Sequence, residues 1–262
     1  MCGIAGYSLQ PASRIDRTLA AQALLAAIAE RGADAVGYAY RLNGSVAVHK
    51  QRSGASALLE RISVPAEATQ LLLHVRDYTK GHPRISANNH PVHHGLVVGV
   101  HNGLIFNDEE VFARHSFERE EPGMTVDSEA IFALADAEGS RAQPFEELCG
   151  SMAAAWLDER RPDTVFIARG VGRPLWLGEG RHEAFFASTE EALEVLESYL
   201  GLRLWKREVP EGVLVPLVSG RRTPAQRFTP DRAFEETPLP AVRAPAERAV
   251  CLRRLAAIVA AL

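Results

Sequence analysis

Residues 1–7 read Met-Cys-Gly-Ile-Ala-Gly-Tyr, so a cysteine directly follows the first methionine. Removal of Met1, the usual processing when the second residue is small, would leave Cys2 with both a thiol and a free α-amine. An α-amine with an ordinary pKa of about 7.7–8.0 can take the proton of a thiol, and the thiolate is the attacking species. One residue would then supply a nucleophile and its base. The alternative interpretation is a small apolar residue at a frayed chain end.

The pattern downstream of Cys2 predicts a strand, a helix and a hairpin. A short strand is expected at 4–7, and apolar residues at helical spacing predict an amphipathic helix over 15–30 that stops at Arg31-Gly32. Asn43-Gly44 lies between two β-prone segments, which is a strong signal for a two-residue hairpin turn. Strands expected at 71–76 and 96–101 each run directly into polar residues. Polar groups just past the ends of buried strands often line a cleft.

The second half of the chain predicts further alternation of helices and strands. Helices are expected at 127–137 and around 145–149, and strands at 164–168, 174–178, 184–187, 202–207 and 213–218. Ser188-Thr-Glu-Glu191 has the spacing of a capping box that opens a helix through residue 200.

Composition changes after Gly220. Residues 221–247 are rich in Pro, Arg, Thr and Glu without periodicity, which predicts an extended arm or linker. A last helix is expected from about residue 246, with an apolar face formed by Leu252, Leu255, Ile258, Val259 and Leu262. We therefore predict one domain over residues 1–220 and an arm with an amphipathic helix over residues 221–262.

The composition is that of a globular chain with a substantial core. Of 262 residues 47% are apolar and 24% charged, and the net charge of −4 argues against a nucleic-acid partner. Three cysteines, Cys2, Cys149 and Cys251, match no disulfide or zinc framework, which favours a cytoplasmic location. The longest wholly apolar run, residues 255–262, is far below the ~20 residues of a membrane span, so no membrane partner is expected.

Six short motifs in order resemble the class II glutamine amidotransferases, the N-terminal-nucleophile type. They begin with Cys2-Gly-Ile-Ala-Gly-Tyr7 and continue through Arg31-Gly-Ala-Asp34-Ala-Val-Gly37, His74-Val-Arg76-Asp-Tyr-Thr79-Lys-Gly81, Asn89-His90-Pro91, His101-Asn102-Gly103 and Val126-Asp127-Ser128-Glu129. Weaker similarity extends the resemblance over roughly residues 2–220. Several ordered motifs are much more specific than one.

The resemblance implies an α+β fold, the four-layer αββα sandwich with two antiparallel sheets. It also implies catalytic roles for Cys2, Asn102 and Gly103, with the last two facing the oxyanion. Arg76 would bind the α-carboxylate of the substrate and Asp127 its α-ammonium, with Thr79 as a further substrate contact. The Arg31–Gly37 loop is expected to pack near the nucleophile. Asp77 and Lys80 depart from the family pattern, and their roles stay open.

No cofactor and no metal are expected. His90, His93 and His94 invite a metal hypothesis, but they lack carboxylate or cysteine partners at ligand spacing. Arg76, Asp127 and Asn102-Gly103 taken singly are equally compatible with surface ion pairs and a hairpin turn.

The resemblance implies hydrolysis of the glutamine side-chain amide through a Cys2 thioester. Because only about 40 residues follow the matched region, we expect a stand-alone glutaminase that delivers ammonia to a separate synthase subunit. Two alternatives remain: a hydrolase of another γ-glutamyl amide, and a non-catalytic binding subunit. Homo-oligomerisation is left open.

Overall fold

A computed structural model describes residues 1–237 and 239–261 of the chain. Its first sheet has seven strands, all paired antiparallel, in the order β11-β9-β10-β1-β4-β2-β3. The strands are β1 (Gly3–Leu9), β2 (Ala35–Leu42), β3 (Ser45–Gln51), β4 (Gln70–Arg76), β9 (Trp176–Glu179), β10 (Glu183–Ala187) and β11 (Trp205–Glu208). The turn between β2 and β3 is the predicted Asn43-Gly44 pair, and both residues have the positive φ that this turn requires.

The second sheet is also antiparallel and runs β13-β12-β8-β7-β6-β5, with β14 paired to β12. Its strands are β5 (Val92–His94), β6 (Val97–Ile105), β7 (Gly150–Asp158), β8 (Thr164–Arg169), β12 (Val213–Val218), β13 (Arg221–Arg222) and β14 (Gln226–Arg227).

Helices cover the outer face of each sheet. α1 (Arg17–Ile28), α4 (Glu190–Leu200) and α5 (Pro245–Ala260) share one apolar core with the first sheet. α2 (Asp108–His115) and α3 (Glu129–Glu138) share another with the second sheet. The layers are therefore helix, sheet, sheet, helix, and the predicted αββα sandwich with two antiparallel sheets is confirmed.

A third core fills the space between the sheets, and it shows which way each central strand faces. Ile4 of β1, Leu72 of β4 and Val100 of β6 all lie in this core. Since side chains alternate along a strand, Cys2, His74, Arg76 and Asn102 face the same inter-sheet space. The sheets thereby bring together residues that are up to 100 positions apart in sequence.

Several sequence-based predictions of local structure are wrong. The strand predicted to stop at residue 101 continues to Ile105, so Asn102-Gly103 is part of a central strand and not a turn after it. The helix predicted around 145–149 is a single 3₁₀ segment, Gln143–Glu147, followed by β7. Neither β7 nor α2 was predicted. β7 is rich in alanine and buried on both faces, so it lacks the alternation that marks a half-exposed strand.

The predicted capping box is shifted by one residue. Thr189, not Ser188, is the N-cap of α4, and its hydroxyl accepts the Ala192 N–H at 3.3 Å. The Ser188 hydroxyl accepts the Ile4 N–H at 2.9 Å. Ser188 is fully buried and therefore joins the start of α4 to the central strand β1.

The C-terminal segment contacts the body of the molecule along much of its length. Its first residues add β13 and β14 to the edge of the second sheet, where the sequence had predicted an arm without strands. On α5, Cys251 and Leu255 are buried against α1 and the first sheet, whereas Val259 is 36% exposed. Leu262 of the predicted apolar face lies outside the described residues.

Replacement of Thr189 by Ala removes the N-cap acceptor of α4. We expect the free energy of unfolding to fall by about 1 kcal/mol, the usual effect of losing such a cap. Thr189→Ser keeps the hydroxyl and should retain most of the stability. Denaturant unfolding of both variants measures the difference, and a Thr189→Ala protein as stable as the parent would contradict the assignment of the cap.

Candidate active site

Strand register places Cys2 beside Arg76. Gly3 of β1 pairs with Val75 of β4, so the residues just outside this pair, Cys2 and Arg76, lie at the same end of the inter-sheet space. The Cys2 thiol donates to the Asp77 carbonyl at 3.4 Å. Burial raises the pKa of this thiol, while the positive charge of Arg76 acts in the opposite direction.

The loop after α1 supports both of these residues. Arg31 is buried, and its Nε donates to the Cys2 carbonyl at 2.8 Å. Gly32 packs against the Arg76 backbone so closely that an added Cβ would lie 2.3 Å from the Arg76 carbonyl carbon. Asp34 donates its N–H to the Arg76 carbonyl at 2.9 Å. The Arg31–Gly37 motif therefore holds the ends of β1 and β4 in place.

The end of β6 supplies Asn102 and Gly103. Asn102 is fully buried, and neither its Oδ1 nor its Nδ2 has a hydrogen-bond partner among the described residues. Buried amides are nearly always hydrogen-bonded, so this one is suited to receive a ligand group. Gly103 has a φ of +152°, and a Cβ there would lie 1.9 Å from the Ser151 carbonyl oxygen. Only glycine fits this position.

Arg76 is a buried cation whose described contacts are all neutral. Its guanidinium donates to Asn89 Oδ1 at 2.6 Å, to the Lys80 carbonyl at 2.8 Å and to the Gly81 carbonyl at 2.5 Å. No carboxylate among the described residues lies within ion-pair distance of it, and burial lowers the pKa of this group. A guanidinium in this condition favours an incoming carboxylate.

Asp127 is the complementary buried anion. It is 3% exposed and accepts the Ile105 N–H at 2.7 Å through Oδ2. Burial raises its pKa to about 6, helped by the nearby Asp108 carboxylate and opposed by the Lys80 ammonium. No cation among the described residues pairs directly with Asp127, so its carboxylate favours an incoming ammonium group.

The segment 77–81 covers this cleft. Asp77 forms ion pairs with the Met1 ammonium and with Arg243, at 3.2 Å from Arg243 Nε. Lys80 binds both oxygens of the fully buried Asp108, at 2.6 and 2.8 Å. The volume left open in the cleft is only about 10 Å³, which is room for a single water molecule at most. A larger ligand therefore requires displacement of this segment or of Met1.

Three buried histidines underlie the cleft, and burial keeps all of them neutral. The rings of His74 and His90 stack with centroids 4.1 Å apart, and neither nitrogen of His90 has a described partner. Burial lowers the pKa of His74 and of His101 to about 3 and that of His90 well below its ordinary value. Among residues 1–237 and 239–261, no group of three or more His, Cys, Asp or Glu side chains is arranged to hold a metal ion.

Five of the six site residues predicted from the sequence line one cleft: Cys2, Arg76, Thr79, Gly103 and Asp127. Thr79 is exposed at its rim. Asn102 lies on the adjacent position of β6 and faces the inter-sheet core. Two further residues gave no signal in the sequence: Asp108, the partner of Lys80, and Arg119. The Arg119 guanidinium forms ion pairs with the Asp108 and Glu129 carboxylates, each at 3.1 Å. Acidic residues at the start of a helix give no signal of such a tertiary partner.

These features define an N-terminal-nucleophile hydrolase fold: two stacked antiparallel sheets, with a cysteine at the start of a central strand and a polar cleft at the strand ends. A family model described as a glutamine amidotransferase domain matches residues 81–195. The chain is 17% identical in sequence to a glutamine phosphoribosylpyrophosphate amidotransferase structure from B. subtilis, with a TM-score of 0.66 over 86% of this chain and 49% of that one. That likeness is one of fold.

Two curated relatives are similar in sequence. The glutamine–fructose-6-phosphate aminotransferase of Shouchella clausii is 27% identical over 220 residues, which is 76% of this chain and 35% of that protein. The enzyme of the same name from Caulobacter vibrioides is 31% identical over 204 residues, or 72% of this chain and 32% of that protein. The chain thus spans about a third of the length of these relatives. Residues 81–195 belong to the glutamine amidotransferase domain family, and the similarity to these relatives extends over most of the chain.

The electrostatics of Cys2 give a measurable expectation. Arg76→Gln removes the positive charge that favours the thiolate, so the thiol pKa should rise and alkylation by iodoacetamide at pH 8 should slow about tenfold. Arg76→Lys keeps the charge and should react at nearly the parental rate. Mass spectrometry of the peptide that carries Cys2 measures these rates, with far-UV circular dichroism as the control for folding. Equal rates in all three proteins would contradict the assigned effect of Arg76.

Proposed function

We propose that this chain hydrolyses the side-chain amide of glutamine through a thioester on Cys2 and passes the ammonia to a separate synthase subunit. The observation that carries the proposal is the fully buried Asn102 amide, which has no hydrogen-bond partner among the described residues and precedes Gly103, a residue that lines the same cleft as Cys2. A buried amide donor at such a cleft suits the negative charge that develops when a carbonyl carbon is attacked.

The charges of the cleft suit a free amino acid. Glutamine carries an α-carboxylate and an α-ammonium. The cleft presents a buried guanidinium, Arg76, and a buried carboxylate, Asp127, and neither has an ion partner within the described part of the chain. In a site with little water such charges act strongly, because the effective dielectric constant is low. The Thr79 hydroxyl at the rim is a further candidate contact.

The proposed chemistry begins once Met1 has been removed. The α-amine of Cys2 takes the thiol proton, and the sulfur attacks the amide carbon of glutamine. Asn102 Nδ2 and the Gly103 N–H stabilise the oxyanion of the tetrahedral intermediate. The α-ammonium then protonates the departing nitrogen, and the C–N bond breaks to give ammonia and a γ-glutamyl thioester. Water adds to the thioester, with the α-amine as base, and releases glutamate and the thiol.

The curated relatives support a use for the ammonia. They are named glutamine–fructose-6-phosphate aminotransferases, and this chain covers only about a third of each. We propose that the acceptor site for the ammonia lies on another subunit. The structure also contains, within its described residues, no helix that is both long and apolar enough to cross a membrane.

Release of ammonia from glutamine tests the proposed reaction. Protein with Met1 removed, as verified by intact mass, should form glutamate and ammonia in equal amounts. Cys2→Ala should abolish turnover, because no other described thiol lines the cleft. Asn102→Ala should lower kcat by about 10²–10³, the usual effect of losing one oxyanion donor.

The matched control is Asn107→Ala, which removes a half-buried amide at the N-cap position of α2 whose Oδ1 accepts the Cys149 N–H, outside the cleft. It should lower kcat by less than threefold. The proposal fails if processed protein releases no ammonia from glutamine, or if Cys2→Ala turns over at the parental rate.

The pKa of Asp127 predicts how substrate binding depends on pH. An α-ammonium binds the ionised carboxylate, so affinity is complete well above pH 6 and is lost as the pH falls through about 6. In the Cys2→Ala background, the dissociation constant for glutamine should rise about tenfold between pH 8 and pH 5. Isothermal titration calorimetry measures it.

Asp127→Asn provides the control for this effect. The neutral amide should bind glutamine weakly and equally at both pH values. A dissociation constant that stays flat between pH 5 and pH 8 in protein with Asp127 intact would exclude this residue as the ammonium site.

A further inference from the structure

The C-terminal segment crosses the mouth of the cleft before it enters α5. We call residues 231–244 the strap; the structure describes all of them except residue 238. The strap lies between Phe228, which is buried in the core of the second sheet, and α5, which packs on the helical layer of the first sheet. Its two ends are therefore fixed to opposite halves of the sandwich, and its path passes over the open edge between the sheets.

Four residues attach the strap along this path. Arg232 pairs with Glu211 at 2.6 Å, and the Phe234 ring lies 5.7 Å from the ring of Phe106, just after β6. Glu236 pairs with Arg173. At the far end the Arg243 side chain pairs with Asp77, while its backbone N–H donates to the Glu30 carbonyl at 2.9 Å.

Two of these contacts reach residues at or near the cleft. Asp77 provides the carbonyl that accepts the Cys2 thiol, and its side chain is only 12% exposed. The pairing with Arg243 therefore fixes the start of the segment that covers the cleft. Arg173 is also mostly buried and lies near enough to His101 to lower its pKa. The strap therefore contacts the border of the cleft on the side of each sheet.

Between the strap and the cleft lies a pocket of about 240 Å³. Thr79, Leu104 and Phe106 line it on one side, and Glu235, Thr237 and Leu239 of the strap on the other. Thr79 also lines the cleft itself, and Leu104 follows Gly103 in β6. The pocket is therefore contiguous with the candidate active site, and the strap is its outer wall.

We propose that the strap limits the size of the molecules that reach Cys2. The Arg243–Asp77 ion pair holds the strap in place over the cleft. This inference rests on the proposed function for its purpose, since a walled cleft admits glutamine and retains ammonia. The strap itself lies outside the family motifs of the sequence, although its partner Asp77 lies within one of them.

Alkylation of Cys2 by reagents of two sizes tests the proposal without requiring turnover. Iodoacetamide is small, and fluorescein-5-maleimide is bulky. Arg243→Ala removes this ion pair. The ratio of the rate with the bulky reagent to the rate with iodoacetamide should therefore be at least fivefold higher than in the parent protein. Any change in thiol pKa affects the thiolate available to both reagents, so the ratio of rates reports access. Rates are read from the peptide that carries Cys2.

Three variants complete the design. Arg243→Lys keeps the positive charge and should retain the parental ratio. Arg253→Ala, which changes an exposed arginine of α5 outside the strap, should also retain it. Glu236→Gln removes the second ion pair and should raise the ratio as Arg243→Ala does. A ratio within twofold of the parent in both Arg243→Ala and Glu236→Gln overturns the strap proposal. Absence of glutaminase activity in the parent would instead overturn the proposed function and leave this measurement valid.

Discussion

The antiparallel register between β1 and β4 is the constraint on which the site depends. With Gly3 opposite Val75, Cys2 and Arg76 project from the same end of the sheet into the space between the layers. A slip of one residue would turn one of these side chains to the helical face, since the side-chain period of a strand is two. The register is enforced by packing: Ile4 and Leu72 must face the inter-sheet core, whereas Ala5, Leu71 and Leu73 must face α1.

The second sheet supplies the remaining residues of the candidate site. β6 reaches past the point where the sequence suggested an end, and its last residues carry an amide and a glycine into the region of the thiol. Asp127 follows from the start of α3 and is held by the Ile105 N–H of the same strand. A thiol and a cation thus lie at the end of one sheet, an amide and a glycine come from the other, and the carboxylate of Asp127 is held against that second sheet. The cleft exists only when the sheets are stacked.

The buried charges differ in whether the described residues provide them with an ion partner. Arg76 makes three hydrogen bonds to neutral oxygens and lies apart from any described carboxylate, and Asp127 has its pKa raised by burial. Burying ions without partners costs stability, so such a pair is expected where a ligand supplies the missing charges. By contrast, Asp108 is fully buried but is paired with Lys80 and Arg119, which suits a structural anchor beneath segment 77–81.

Much of this protein could be predicted from local sequence. The Asn43-Gly44 turn, α1, β12 and the order of six motifs are local properties, because turn geometry, helical periodicity and short motifs depend on neighbouring residues. Those motifs were sufficient to predict the resemblance to the family and the four-layer fold. The features described next depended on tertiary structure. The alanine-rich β7 gave no periodic signal because both its faces are buried. Thr189 caps α4, because the Ser188 hydroxyl is bonded to β1. Asp77 forms ion pairs with Met1 and Arg243 and not with Arg76. Each of these outcomes depends on a partner far away in the chain, and pairing across such a distance is set by the packing of the two sheets.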